Sequence, residues 1–227
     1  MAARMESAAE VSNAVQDYAK AIWSLSQRSD EPVSTSSLAY RLEVSPASAS
    51  AMVKRLEVMG LVSREPYHGV RLTRAGERLA LEVVRHHRLL ELYLAEALGM
   101  SWDRVHEEAE VLEHAISPEL SELIAAKLGN PTHDPHGDPI PTADGEIDEA
   151  PTRALSDLEP GAHGVFVRVS DSDPDMLRYL AERGIAPGDR FEVLRREPFE
   201  GPLTVRFGGS SHVLGGALPQ AMRTVVR

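Results

Sequence analysis

The run VSPASASAMVKRLEVMGLVSREPYHGVRLT, residues 44–73, leaves the chain little conformational freedom. Ser45 offers a side-chain oxygen to the free N–H groups at a helix start, and Pro46 presets the first helical φ. Gly60 suits the left-handed residue that ends such a helix. Between them Ala49, Met52, Val53, Leu56 and Met59 recur at helical spacing and predict a buried stripe. Upstream, STSSLAYRLEV (34–44) predicts a short helix with hydroxyl caps. Residues 8–26 predict an amphipathic first helix with Val11, Val15, Tyr18, Ala19 and Ile22 on its apolar side. Two short β-prone runs around Tyr67-His68-Gly69 predict a hairpin. Helix, tight turn, small hydroxyl-rich helix and hairpin is the order of a winged helix-turn-helix.

Such a head reads DNA through small and polar side chains on its second helix. Ser34, Ser45, Ala47, Ser48, Ser50, Ala51 and Lys54 are the expected contacts, with His68 at the wing tip. The plainer alternative is a three-helix domain with a hairpin and no nucleic acid. A net charge of −11 looks unfavourable to DNA, but it is unevenly spread. The first 88 residues carry 12 Lys and Arg against 10 Asp and Glu, and the rest carry 12 against 25. A mildly basic head on an acidic body fits DNA binding by the head alone. The absence of cysteine excludes disulfides and thiolate zinc sites. No membrane span or signal peptide is evident in the sequence, which implies a cytoplasmic protein without a membrane partner.

Residues 73–99 predict a long helix opening at Thr73, ending at Gly99 and apolar on more than one side, as in a dimer core. On it His87 and Glu91 stand at i, i+4. His86 points about 100° away and is expected to be solvated. The next helix, RVHEEAEVLEHAI (104–116), sets a core stripe of Val105, Ala109, Leu112 and Ile116 beside a second face. That face carries His106, Glu110, Glu113 and His114 at i, i+4, i+7 and i+8. A zinc protease motif is broken, because Glu110 stands where a second His is required. A structural metal more often draws on several His or Cys in a compact loop. A regulatory site for a harder ion such as Mn(II) or Fe(II) suits mixed carboxylate and imidazole ligands. A merely solvated Glu-rich face is the remaining alternative.

Together, AVQDYAKAIWSL, VSPASASAMVKRLEVMGLV, VRHHRLLELYL, WDRVHEEAEVLEHAIS and DPHGDPIP resemble the diphtheria toxin repressor family, and more closely its manganese-responsive MntR branch. The resemblance implies a mainly α chain with small β parts. A winged helix-turn-helix would span 1–73, a helical metal-binding and dimerisation domain 74–150, and a small FeoA-like, SH3-like β-barrel 151–227. It implies no enzyme, but a manganese-dependent repressor that binds a palindromic operator as a homodimer, with one or two dimers per operator. Iron(II) is the alternative metal, and Co(II), Cd(II) or Zn(II) would substitute in vitro. A winged-helix regulator of an organic ligand is the alternative of another class.

Carried over by residue, the resemblance implies a primary site of Asp17, Glu110, Glu113 and His114. A second site would use His87, Glu91 and His106, completed by Asp171 or Asp173. The iron-responsive branch has Met and Cys at the positions of Asp17 and Glu110, so the carboxylates here favour manganese. Lys20 departs from manganese sensors that place a carboxylate there, and a protonated lysine cannot ligate. In the C-terminal segment GVFVRVS, FEVLRRE, PLTVRFGG and TVVR predict strands, and PDMLRYLAERG a helix whose start Asp171 or Asp173 could cap. His133, Asp134, His136 and Asp138 look like ligands, but Pro and Gly around them predict a structural turn. Converging carboxylates at the primary site repel unless a cation intervenes. Without metal, the first helix and its head are therefore expected to be held loosely.

Overall fold

The computed structural model describes residues 11–27, 29–65, 69–148, 150–199 and 201–227. These divide into two compact units. The first runs to His87 and adds Glu110–Leu123 and Pro141–Glu146, and the second comprises Arg88–Ala109, Ile124–Ile140 and Ile147–Arg227.

The first unit opens with α1 (Asn13–Ser26), α2 (Thr35–Arg41) and α3 (Pro46–Val58), followed by the antiparallel pair β1 (Val62–Glu65) and β2 (Gly69–Leu72). Its core is what the periodicity predicts: Val15, Ile22, Leu38, Ala49 and Leu56 are wholly buried. Val33 extends the hairpin by exchanging both backbone hydrogen bonds with Val70, each 2.9 Å. Ser34 caps α2 through Ser37 N (3.0 Å) and Ser45 caps α3 through Ser48 N (3.1 Å), with Pro46 at the start. Gly60 takes φ +71° beyond the end of α3. Met59, expected in the core, is exposed, because α3 ends at Val58 and the chain turns there. Likewise α2 stops at Arg41, where Glu43 takes a left-handed φ of 53°.

Three helices supply residues to both units: α4 (Arg74–Leu98), α5 (Val105–Leu112) and α6 (Pro118–Lys127). Thr73 caps α4, accepting from Gly76 N at 3.2 Å. The predicted helix over 104–116 ends earlier, at Leu112, and Glu113 to Ala115 form a turn. The change exposes Leu112 and buries Glu113 to 1%. Val105 and Ala109 hold the core positions assigned to them. The sequence reading did not identify α6. Its signal is the one that marks α3: Ser117 Oγ accepts from Leu120 N (3.2 Å) ahead of Pro118.

In the second unit six antiparallel strands run β3-β8-β4-β5-β6-β7, with β3 (Arg153–Ala154), β4 (His163–Val169), β5 (Arg190–Arg196), β6 (Leu203–Phe207), β7 (Ser210–Leu214) and β8 (Met222–Val226). Register shifts in β4 and β5 bend the sheet. Its core gathers Phe166, Leu155, Leu158, Val193, Leu214 and Met222, joined by Leu177 and Leu180 of α7 (Pro174–Ala181). A short helix, α8 (Leu218–Ala221), leads into β8. The two-residue β3 and the polar β7 lack the alternating pattern that marked the other strands.

Candidate metal centre

In the first unit α1 and the turn after α5 bring three of the four expected primary residues together, Asp17, Glu113 and His114, whereas Glu110 on α5 falls with Glu113 and His87. His114 Nε2 lies 2.8 Å from Asp17 Oδ1 and 3.7 Å from Glu113 Oε1. One ligand atom each from Asp17, Glu113 and His114 lies within 4.8 Å of the others, and the same holds for His87, Glu110 and Glu113. Ions of magnesium's size hold ligands at about 2.0–2.1 Å, so opposite ligands stand roughly 4 Å apart. The donors thus fit a divalent ion, and no sulfur is among them. Burial raises the Asp17 carboxyl above its usual range; the His114 imidazole works against that, and Glu113 adds to it.

Two residues shape this cluster beyond the expected ligands. Gln16, 4% exposed on α1, places Oε1 2.6 Å from His114 Nδ1. An amide oxygen only accepts, so Nδ1 carries the proton and Nε2 faces Asp17. Nothing in the helical pattern marked Gln16, except that a polar residue falls beside Val15 on the inward side of α1. Gln16→Leu is expected to weaken metal binding about 10–100-fold, the usual cost of losing an outer-shell partner. A metal titration followed calorimetrically checks this, and an unchanged affinity would remove Gln16 from the site.

The second residue is Lys20. Its Nζ stands 2.7 Å from Glu110 Oε1, 2.7 and 3.0 Å from the two oxygens of Glu113, and 3.1 Å from His87 Nδ1. His87 Nδ1 also meets Glu113 Oε2 at 2.5 Å. Two of the carboxylates expected to repel one another, Glu110 and Glu113, therefore share a cation on α1 itself, which ties α1 to α5 and the turn after it. The expectation of a loosely held head did not weigh this contact, which compensates two of the carboxylates without a metal. His86, expected in solvent, is buried at 6% exposure. Burial lowers its pKa against a hydrogen bond to the Glu113 backbone.

In the second unit Glu91, His106 and Asp171 converge. His106 Nδ1 is 3.2 Å from Glu91 Oε1 and 3.0 Å from Asp171 Oδ2. Burial opposes charge on His106, but the bonds to Asp171 and Glu91 outweigh it and raise the imidazole to about 10. The fourth residue expected there, His87, belongs to the first unit, against Glu113. The structure divides the two candidate aspartates: Asp171 meets His106, whereas Asp173 caps α7 through Asp175 N (3.0 Å) and Met176 N (3.3 Å).

The loop 133–138 is the turn expected, built by Asp134, whose Oδ1 accepts from His136 N (2.8 Å) and Asp138 N (2.9 Å). Gly137 holds φ +88°, and a Cβ there would lie 1.9 Å from the Val167 carbonyl oxygen. His136, however, is wholly buried. It stacks on Trp102, with Nε2 2.7 Å from the Trp102 carbonyl and Nδ1 3.7 Å from Glu91 Oε2. His133 bonds only its neighbour Thr132 among the described contacts, at 2.9 Å.

Of the expected DNA contacts, Ser34, Ser45, Ala47, Ser48, Ser50, Ala51 and Lys54 are all exposed on α3 or at the caps of α2 and α3. The hydroxyls of Ser34 and Ser45 also meet Ser37 Oγ (2.8 Å) and Ser48 Oγ (2.9 Å). His68 lies outside the described residues. No helix among the described residues is long and apolar enough to cross a membrane.

The chain is similar to known proteins over most of its length. Residues 10–70 match the iron dependent repressor N-terminal DNA binding domain, 73–142 the iron dependent repressor metal binding and dimerisation domain, and 153–221 the FeoA domain. The iron-dependent repressor IdeR of Mycobacterium tuberculosis is 30% identical over 230 residues, 96% of this chain and 97% of the relative. The diphtheria toxin repressor of Corynebacterium glutamicum is 30% identical over 218 residues, covering 91% and 93%. Among solved structures, a manganese-dependent transcriptional repressor in complex with manganese is 46% identical over 94% of this chain and 100% of its own, with a TM-score of 0.87. ScaR with bound Zn2+ is 28% identical over 93% and 98%, with a TM-score of 0.78.

The winged head, the carboxylate–imidazole cluster and these matches define a metal-dependent transcriptional repressor, not an enzyme. The chain belongs to the diphtheria toxin repressor and IdeR family, with its DNA-binding, dimerisation and FeoA domains.

Proposed function

We propose that this repressor responds to manganese(II), with Asp17, Glu110, Glu113 and His114 as the primary ligands. The observation that carries the reading is the convergence of Asp17, Glu113 and His114 from α1 and the turn after α5, with Glu110 beside Glu113 as a further oxygen donor. Raw affinity ranks manganese last among the divalent first-row metals, so oxygen ligands are the means of favouring it. The manganese-bound relative at 46% identity supports the same choice. The proposed second site uses His87, Glu91 and His106 with Asp171, of which Glu91, His106 and Asp171 converge in the second unit. The functional segments are proposed as 1–73, 74–150 and 151–227, which the three family matches support.

A bound divalent ion supplies positive charge that carboxylates of α1 and α5 can share. Asp17 then fixes α1, and α1 carries α2 and α3 with it through the core of Val15, Ile22, Leu38 and Leu56. In a homodimer this sets the distance between two α3 helices. Paired heads need ~34 Å per DNA turn to read a palindromic operator. Ser34, Ser45, Ala47, Ser48, Ser50, Ala51 and Lys54 are the proposed contacts, with His68 at the wing, and the site of action is the cytoplasm.

Operator binding titrated with Mn(II), and anaerobically with Fe(II), tests the proposal. Binding that requires Mn(II), is lost on chelation and is lost in Asp17→Ala supports it. Equal affinity in excess chelator overturns it. The second reading, iron, rests on the IdeR relatives; Fe(II) acting at lower free-metal levels than Mn(II) would favour it.

A further inference from the structure

Lys20 is one of three lysines in the chain, with Lys54 and Lys127, which are both exposed. Its side chain is only 16% exposed, and its ammonium sits between Glu110 and Glu113 at 2.7 Å from each. An ammonium has three hydrogens. Here three carboxylate oxygens, one of Glu110 and both of Glu113, stand within 3.0 Å to accept them, with the His87 ring nitrogen at 3.1 Å. Hydrogen bonds of this kind, with both partners charged, are the strong ones.

We propose that Lys20 is a tethered competitor of the regulatory metal, which binds only as the ammonium leaves Glu110 and Glu113. The inference rests on the reading of Asp17, Glu110, Glu113 and His114 as ligands, and deepens it. Glu113 turns both oxygens to Lys20, at 2.7 and 3.0 Å, and these are the oxygens an ion would take. A divalent cation on the same oxygens would stand within a few ångströms of the ammonium in a buried setting, where like charges are poorly screened. Ammonium and ion therefore exclude one another. The exchange has two consequences. The cluster is charge-compensated without metal, which keeps α1 against α5. The metal must also outcompete an internal cation, which lifts the concentration at which the repressor responds. Lys20 is thus a positioning and threshold residue, not a ligand.

Two measurements on the full-length protein test this. Lys20→Met keeps the apolar stem and removes the charge. It is expected to lower the melting temperature of the metal-free protein and to tighten Mn(II) binding about tenfold or more, the scale of one hydrogen bond to a charged group. A lowered melting temperature with Mn(II) affinity equal to or weaker than wild type would reduce Lys20 to a structural contact and overturn the proposal. In wild type, acetylation by a lysine-reactive ester, read by mass spectrometry, should spare Lys20 without metal and label it when Mn(II) is added. Lys54 and Lys127 are the internal controls. Lys20 that stays protected with Mn(II) bound would also overturn the proposal. Failure of the functional reading is distinguishable, because wild-type protein would then bind no Mn(II) at all.

Discussion

Glu113→Gln is expected to abolish the metal response while leaving the chain folded. Glu113 is 1% exposed and, among the described residues, alone belongs to both ligand groups of the first unit. Its two oxygens meet Lys20 at 2.7 and 3.0 Å, His87 at 2.5 Å and His114 at 3.7 Å. The amide keeps the volume and one acceptor oxygen, so packing is retained. The negative charge and one of the two donor oxygens are lost. Metal affinity should fall by more than the about 10–100-fold that follows loss of an outer-shell partner. Operator affinity at fixed Mn(II) should then fall to its chelated level, a coupling commonly of ~1–3 kcal/mol. Metal titration, operator binding and circular dichroism on one preparation separate the effects. A folded variant with wild-type metal affinity would remove Glu113 from the primary site.

Phe166→Ala should destabilise the second unit by about 3–5 kcal/mol, the range for emptying a buried aromatic position. Native domains are stable by only about 5–15 kcal/mol, so this is a large share. Phe166 is wholly buried, meets Phe207 edge to face at a centroid distance of 6.2 Å, and sits in β4 just before a register shift. The same strand ends at Val169, whose N–H bonds the His136 carbonyl, and Asp171 follows two residues later. Loosening β4 should therefore also free Asp171 from His106. Urea unfolding gives the stability loss, and hydrogen exchange assigns it to the second unit. A loss below about 1 kcal/mol would mean that the neighbouring side chains refill the space.

The sequence was informative wherever a signal is local. Ser45-Pro46 and Gly60 bound α3, Thr73 and Gly99 bound α4, and the alternating strands of the second unit were readable before any fold was known. Ligand-type residues were also legible, because Asp17, Glu110, Glu113 and His114 stand in family motifs. What failed was extrapolation. Helical spacing carried α5 to residue 116, yet the helix ends at Leu112, and the turn that replaces it buries Glu113 in place of Leu112. His86 is expected in solvent and is buried, and His136 stands in the turn expected, which the fold buries. Burial of a polar side chain depends on partners distant in sequence, here Glu113 and Trp102.

By itself, the sequence determined the family, the winged head, most of the order of elements and the oxygen-rich residues proposed as ligands. Each follows from residue type and short spacing. Only the tertiary structure decided how the charges are balanced. Lys20, set aside as a residue unable to ligate, lies 90 and 93 positions from Glu110 and Glu113 and yet within hydrogen-bonding distance of both. It also decided that Asp171 meets His106 while Asp173 caps α7. Electrostatic pairing falls off with distance in space, not with distance along the chain, so only the fold could reveal these partners.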